Sequence, residues 1–467
     1  MKCDPTFSEF LQASLKAWSQ KRSDDFVLSL ALSVQDVDPL VQLPVIANKQ
    51  QFSFLWDRTP GLCIAAAGKC QNFELVGPRR FELAQRFSNE TLGRLIDGSP
   101  DTPSHSKPKV LLAFTFFEQT SEIKIDTNII PAVQAILPSW QLSRQSGHTW
   151  LRLNSVISNA ADVRTCAEQL WLMRESVVLN IDPTIPSFAQ ANGGIPISQN
   201  WQKNYRSALQ KGIEIVNSGE LKKLVLAVKK SVVLQEPLKP LLLLANLRNR
   251  QPGSCRFLWK RSQNESFFGA SPERLLSVRQ GQISTDALAG TALLKDGDAL
   301  LSSEKDLREH ELVVTSILTQ MSNYGLKPYR SRSPRLAKHG HLVHLHTPIT
   351  AISHTTLPLQ LAEVLHPTPA VAGLPRTNAV KWLRALESFE RGNYAAPVGW
   401  VDLAGNCEFR VAIRCGYLRG LKLDLIAGAG LVRGSIVEKE LEEVRIKLAV
   451  MADQILSKAE FSRKTFK

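Results

Sequence analysis

The small-residue run Ala427-Gly428-Ala429-Gly430, followed closely by the charged segment Val437 to Lys447, constrains this chain more than any other stretch. Four residues with little or no side chain let backbone approach backbone or ligand, and the run reads as a turn feeding a helix. On that helix Glu440, Glu443 and Lys447 stand at i, i+3 and i+7 and share one face. Two carboxylates and an ammonium beside a Gly-rich turn can hold a hard cation and an anionic ligand together. Taken alone, a solvated charged face is the plainer reading, so the rest of the chain has to decide.

The chain has 467 residues, 43% of them hydrophobic, enough for a large core. No apolar run reaches membrane-spanning length, Leu241 to Leu244 being far too short, so no membrane partner is expected. Met1 to Pro5 carries no basic-then-apolar signal pattern. Seven scattered cysteines without a CxxC pair fit reduced thiols and a cytoplasmic protein. The formal net charge of +14 favours anionic partners. A nucleic-acid binder would show a dense basic stripe with interleaved aromatics. Lys327 to Lys338 instead sets Arg330, Arg332 and Arg335 among Pro328 and Pro334, a basic surface loop, and no nucleic-acid partner is expected.

Residues 1–181 read as one half of an α/β body: strands over Gln51–Trp56, Leu62–Ala67, Val110–Phe117 and Trp150–Leu153, helices over Pro78–Ile96 and Ala160–Arg174. Residues 182–200, with three prolines and two adjacent glycines, read as the linker, and 201–460 as the half that carries chemistry.

Trp201 to Ser218 predicts a helix leading into a strand at Lys222–Lys229. Lys223 shares a strand face with Val225 and Ala227, where partial desolvation would lower its pKa toward that of a general base. A strand-edge lysine reaching solvent is the plain alternative. Ser271-Pro272-Glu273 opens a turn or helix, and Glu273 is either a first-turn acid or a general acid kept protonated by apolar neighbours. Ala289-Gly290-Thr291 forms a tight corner whose backbone N–H groups can approach an anion.

Ser302-Ser303 caps a helix carrying Glu309 and His310. Glu309 is an exposed helix acid or a partner of Glu440 and Glu443 around one cation, for which Mg2+ suits the hard oxygen donors. In the run His339 to His346, strand alternation puts His339 and His341 on one face and His344 and His346 on the other, which argues against zinc. His344 alone could touch a substrate. Tyr394–Asp402 and Glu408–Cys415 read as a hairpin, with Arg410 and Arg414 on one face and able to grip a carboxylate.

Together these stretches resemble the chorismate-utilising enzyme family over roughly residues 200–460. The motifs are Lys223 to Ala227, Ser271-Pro272-Glu273, Ala289-Gly290-Thr291, Glu304-Lys305-Asp306 with Glu309-His310, His366 to Ala370, Arg391-Gly392 with Tyr394, Ile413-Arg414, and Gly428 to Gly430 with Glu440 and Glu443. One such motif is weak; eight in family order are specific. The resemblance implies an α/β fold of two large, mostly antiparallel sheets packed face to face with helices outside.

Within the family the chain is most similar to the branch that converts chorismate to isochorismate, an isomerase reaction, and its overall likeness points to menaquinone or phylloquinone formation ahead of a siderophore. The likeness implies that Lys223 activates a water for attack at ring carbon 2 and that Glu273 protonates the hydroxyl leaving carbon 4. It implies Mg2+ held by Glu309 and Glu443 with Glu440 in support. Arg414, the backbone at Gly430 and Lys447 would hold the substrate carboxylates, and Gly290, Thr291 and His344 would line the ring. Chorismate is then the small-molecule partner, and a monomer is expected.

Glutamine usually replaces Lys223 in relatives that use ammonia, and a nucleophilic lysine, where the family has one, stands at the position of Ala289. Val228 stands where the family often has arginine, Ala396 where it often has glycine, and Arg433–Val437 lacks its frequent Ser-Asp-Pro. A salicylate synthase, which adds pyruvate elimination, and a catalytically silent binding homologue are the alternatives.

Overall fold

The computed structural model describes residues 5–22, 25–47, 50–118, 130–179, 194–196 and 201–455. Apart from a short strand at Gly194–Pro196, the expected linker 182–200 lies outside the described residues.

Runs such as Cys63–Ala67 and Lys109–Phe114 are apolar almost throughout and buried at every position, as strands covered on both faces must be. They enter two large sheets, of thirteen and ten strands among the described residues. The larger runs in the order Gly194–Pro196, Lys223–Leu234, Lys422–Leu431, Cys415–Arg419, Glu265–Ser271, Cys255–Ser262, Ser53–Asp57, Cys63–Ala67, Trp140–Gln145, His148–Val156, Val27–Val34 and Leu95–Asp97, with Gly373–Leu374 added on Lys223–Leu234. The smaller runs Tyr329–Arg330, Leu342–Ile352, Gln282–Leu293, Arg274–Arg279, Cys407–Val411, Pro397–Asp402, Lys109–Phe114, Val133–Leu137 and Gln71–Leu75, with Arg335–His339 added on Leu342–Ile352. Among the described residues only Val27–Val34 and Leu95–Asp97 pair in parallel.

Both sheets mix early and late sequence. Ser53–Asp57 pairs with Cys255–Ser262 in one, and Lys109–Phe114 with Pro397–Asp402 in the other. The sheets share one core, where Trp56, Trp259 and Trp400 are fully buried. The Trp259 indole N–H donates across to Gln134 Oε1 at 3.0 Å, satisfying the one polar atom so large a side chain brings inside. Helices cover the sheets; the Glu304–Asn323 helix starts at Ser303, whose hydroxyl accepts from the Asp306 N–H at 3.3 Å.

Four expectations need correction. Ala427–Gly430 is no turn: it lies inside the strand Lys422–Leu431. The histidine run is no single strand, because Gly340 takes φ +63° and turns Arg335–His339 back onto Leu342–Ile352. Glu408–Cys415 is no single hairpin arm either. Its strand ends at Val411, Arg414 takes φ +51°, and Cys415 begins a strand of the other sheet. Arg410 and Arg414 therefore do not share a face. Likewise Ser271-Pro272-Glu273 starts no helix; it carries the chain from Glu265–Ser271 in the larger sheet to Arg274–Arg279 in the smaller.

Candidate active site

These crossings between sheets build a site. A cavity of about 710 Å³, mouth included, is lined by Lys223, Glu273, Gly290, Thr291, Glu309, His344, Arg414, Gly430, Glu443 and Lys447. Of the residues expected to act, Glu440 alone is not in the lining. Glu273 and Arg414 stand at two points where the chain passes from one sheet to the other, so their side chains leave the alternation of a regular strand.

Lys223 begins its strand and is 1% exposed, facing the cavity with Val225 as the alternation requires. Its Nζ lies 2.8 Å from Glu309 Oε1. Burial works to raise the Glu309 carboxyl, but the charges of Lys223, Lys305 and Lys447 together, Lys223 foremost, hold it below its usual range. Gly430, across the ladder from Val225, makes room for this pair. A Cβ on Gly430 would stand 2.7 Å from Glu309 Oε1 and 3.1 Å from Lys223 Cε.

Glu273 is 3% exposed, and burial pushes its carboxyl up to about 7. The Thr368 hydroxyl donates to its Oε1 at 3.3 Å and pulls the other way. A carboxyl so placed can carry a proton near neutral pH and give it up within the cavity.

The Gln282–Leu293 strand breaks register between Ala289 and Ala292, and Gly290 takes φ +69° in the bulge. That turns the Gly290 carbonyl toward His344, whose Nδ1 lies 2.9 Å away and donates to it. Nε2 is then the acceptor for the Arg414 guanidinium. Burial, then the charge of Arg414, hold His344 well below its usual pKa, in keeping with a neutral ring. Arg414 also donates to Gln251 Oε1 at 3.3 Å, and burial lowers its pKa to about 10. The result is a fixed guanidinium at the wall of a cavity fit for carboxylates.

On the Val437–Ile455 helix the expected face splits. Glu443 and Lys447 line the cavity; they pair at 2.6 Å, and Lys447 donates to the Gly428 carbonyl at 3.0 Å. Glu440, 1% exposed, turns to Lys305 at 3.0 Å. Burial, then the neighbouring charge of Glu443, push the Glu440 carboxyl upward. Thr368, Tyr394 and Ile413 lie in the sequence motifs without a role that the sequence assigns; the apolar walls Val371 and Ile426 carry no signal beyond their hydrophobicity.

A profile of the family described as chorismate binding enzyme matches residues 10–456. The chain belongs to that family. Chorismate-binding relatives include the isochorismate synthase MenF of Bacillus subtilis, 31% identical over 68% of each chain. The salicylate biosynthesis isochorismate synthase of Pseudomonas aeruginosa is 35% identical, but this chain spans only 58% of that relative's length. Among solved structures, the menaquinone-specific isochorismate synthase MenF from Escherichia coli superposes with a TM-score of 0.73, covering 95% of this chain and 99% of its own at 22% identity. That likeness shows the two-sheet fold.

A divalent cation in this cavity would need hard oxygen donors. Among the described residues no three His, Cys, Asp or Glu side chains come together as a ready-made cage. Magnesium does not ask for one, since it keeps waters and takes one or two carboxylates beside a substrate. Glu309 and Glu443 line the same cavity, and burial, then the neighbouring charge of Glu443, raise the Glu440 carboxyl behind them, so a cation there would meet a local excess of acid. The donor set fits.

Proposed function

We propose that this chain is an isochorismate synthase, converting chorismate to isochorismate with Mg2+. The observation that carries the reading is one cavity lined both by buried Lys223 and by Glu273 with its carboxyl raised to about 7. Lys223 takes a proton from water as the oxygen bonds to ring carbon 2. The double bonds shift, the bond from carbon 4 to its hydroxyl breaks, and Glu273 gives its proton to the departing oxygen. One water enters and one leaves, so the change is an isomerisation.

Arg414 and Lys447 offer cationic anchors for a dianion, and the His344–Thr291 edge, with Nδ1 and Oγ1 3.2 Å apart, faces the ring. Glu309 and Glu443 would hold Mg2+, with Glu440 behind them. Bound there, the ion would offset the charge of the ring carboxylate. Lys223 needs its amine free to act as a base, so its contact with Glu309 has to loosen in the reacting complex. We place the reaction in menaquinone or phylloquinone formation; the alignment with Bacillus subtilis MenF, which covers more of the chain than the Pseudomonas one, supports this.

The test is incubation of the purified protein with chorismate, with Mg2+ or with EDTA, read by chromatography. Isochorismate forming only with Mg2+, in a mixture that stalls at equilibrium, is expected. Salicylate with pyruvate would assign the neighbouring activity instead, and untouched chorismate would overturn the reading.

A further inference from the structure

One edge of the Lys223–Leu234 strand is covered by Lys422–Leu431 over ten residue pairs. Among the described residues, the opposite edge has strand partners only at its ends, Lys223 and Leu224 against Gly373–Leu374, and Val232–Leu234 against Gly194–Pro196. The buried backbone between them must find other partners. The Val225 N–H donates to the Ala372 carbonyl at 2.8 Å. Beyond that point, among the described residues, two side chains take over from the strand. Arg391 Nη2 donates to the Val225 carbonyl at 2.8 Å, and Glu387 Oε1 accepts from the Ala227 N–H at 2.8 Å.

Glu387 and Arg391 grip each other as a fork, Nε to Oε2 at 2.8 Å and Nη2 to Oε1 at 2.5 Å, with side chains 2% and 1% exposed. The remaining Nη1 donates to the Val371 carbonyl at 2.8 Å, and the guanidinium lies over the Phe116 ring at 4.2 Å. Neither side chain lines the cavity, whereas Val225 and Val371 both do.

The pair thus replaces a missing ladder rung and ties the lysine strand to the wall opposite its edge. We propose that Glu387 and Arg391 are positioning residues, which set Lys223 against the Ala370–Val371 wall through the backbone of Val225 and Ala227. An apolar pair of equal volume would fill the space but would leave two carbonyls and an N–H unpaired. Lysine at 391 would keep the charge and lose the fork that reaches both carbonyls. In its kinetic part the inference rests on the proposed activity; its structural part does not.

The test combines Arg391→Lys and the milder Glu387→Gln with kinetics on chorismate and amide hydrogen exchange. Arg391→Lys is expected to lower kcat by about 10²-fold, the cost of a small misplacement of a catalytic group, with KM little changed because neither side chain meets substrate. Exchange should quicken in the peptides spanning 223–228 and 370–374 and stay as it was in the distant strands. Glu387→Gln, which keeps an acceptor for Ala227, should show the same pattern more weakly. Unchanged exchange overturns the proposal whatever the kinetics, as does quickened exchange with wild-type kcat, or a loss that merely tracks the folded fraction. If the wild-type protein leaves chorismate untouched, the proposed activity fails, and the exchange arm still decides whether the pair holds the strand.

Discussion

Glu273 stands under two opposed influences: burial, which pushes the carboxyl up to about 7, and the Thr368 hydroxyl, which favours the carboxylate. A general acid works only while protonated, so turnover should fall as pH rises through that value. Thr368→Val removes the restraint, and the alkaline limb of the kcat profile should move to higher pH, by about half to one unit for one hydrogen bond. A limb that stays put or moves toward acid takes Glu273 out of the acid role. Lys223 has a different neighbour, Glu309 at 2.8 Å. Lys223→Met should abolish turnover and also strand a carboxylate in the interior, lowering stability by about 3–5 kcal/mol. Adding Glu309→Gln should recover part of that stability and none of the turnover. Calorimetry beside product chromatography separates the two effects; a double variant no more stable than Lys223→Met would show that the pair is not what the lysine change breaks.

At the scale of one element, the Lys422–Leu431 strand uses two glycines for different ends. A Cβ on Gly428 would meet the Leu226 carbonyl oxygen of the neighbouring strand at 2.8 Å, whereas one on Gly430 would meet the ends of the Glu309 and Lys223 side chains. Backbone in a ladder cannot step aside cheaply, so Gly428→Ala should lower stability by about 1–3 kcal/mol. Gly430→Ala should keep a near-normal melting temperature and lose turnover, because flexible side chains can yield but then sit wrongly. Melts and kcat for both variants check this; normal kcat in Gly430→Ala would mean that the Lys223–Glu309 contact does not matter. The same strand shows what the sequence could tell. Small residues at 427–430 announced a close approach but were read as a turn, because tight packing and tight turning use the same residues. The helix spacing of Glu440, Glu443 and Lys447 was legible, yet the turning of Glu440 to Lys305 was not, since that partner comes from a distant helix. Period-two alternation puts Lys223, Val225 and Ala227 on one strand face, of which Lys223 and Val225 line the cavity, and it fails at Arg414, where the chain changes sheets.

Across the whole molecule, early and late sequence meet at Asp57, the last residue of the Ser53–Asp57 strand. Its carboxylate, fully buried, takes Arg256 at 3.1 Å and Arg248 at 2.9 Å, and the neighbouring Arg58 reaches Glu408 at 2.9 Å. Burial works to raise the Asp57 carboxyl, but the charges of Arg256 and Arg248 prevail and hold it well below the usual carboxylate range. A depressed carboxyl contributes stability that is present above its unfolded pKa and is lost as pH falls toward its folded one. Asp57→Asn, which leaves the buried Arg256 guanidinium without its carboxylate and Arg248 with Asp38 alone, should therefore cost about 3–5 kcal/mol near neutral pH. The gap to wild type should narrow below about pH 4, where the unfolded carboxyl takes up its proton. Melting temperatures from pH 3 to pH 8 measure it, and a constant gap would mean that the charge of Asp57 is not the source. Because this junction lies between strands from both sides of residue 180, in a sheet that runs through both, the variant should still melt in one transition, merely at lower temperature. Two transitions, only one of them displaced, would show instead that residues 1–181 and 201–460 hold their folds separately and that the ion cluster belongs to just one of them.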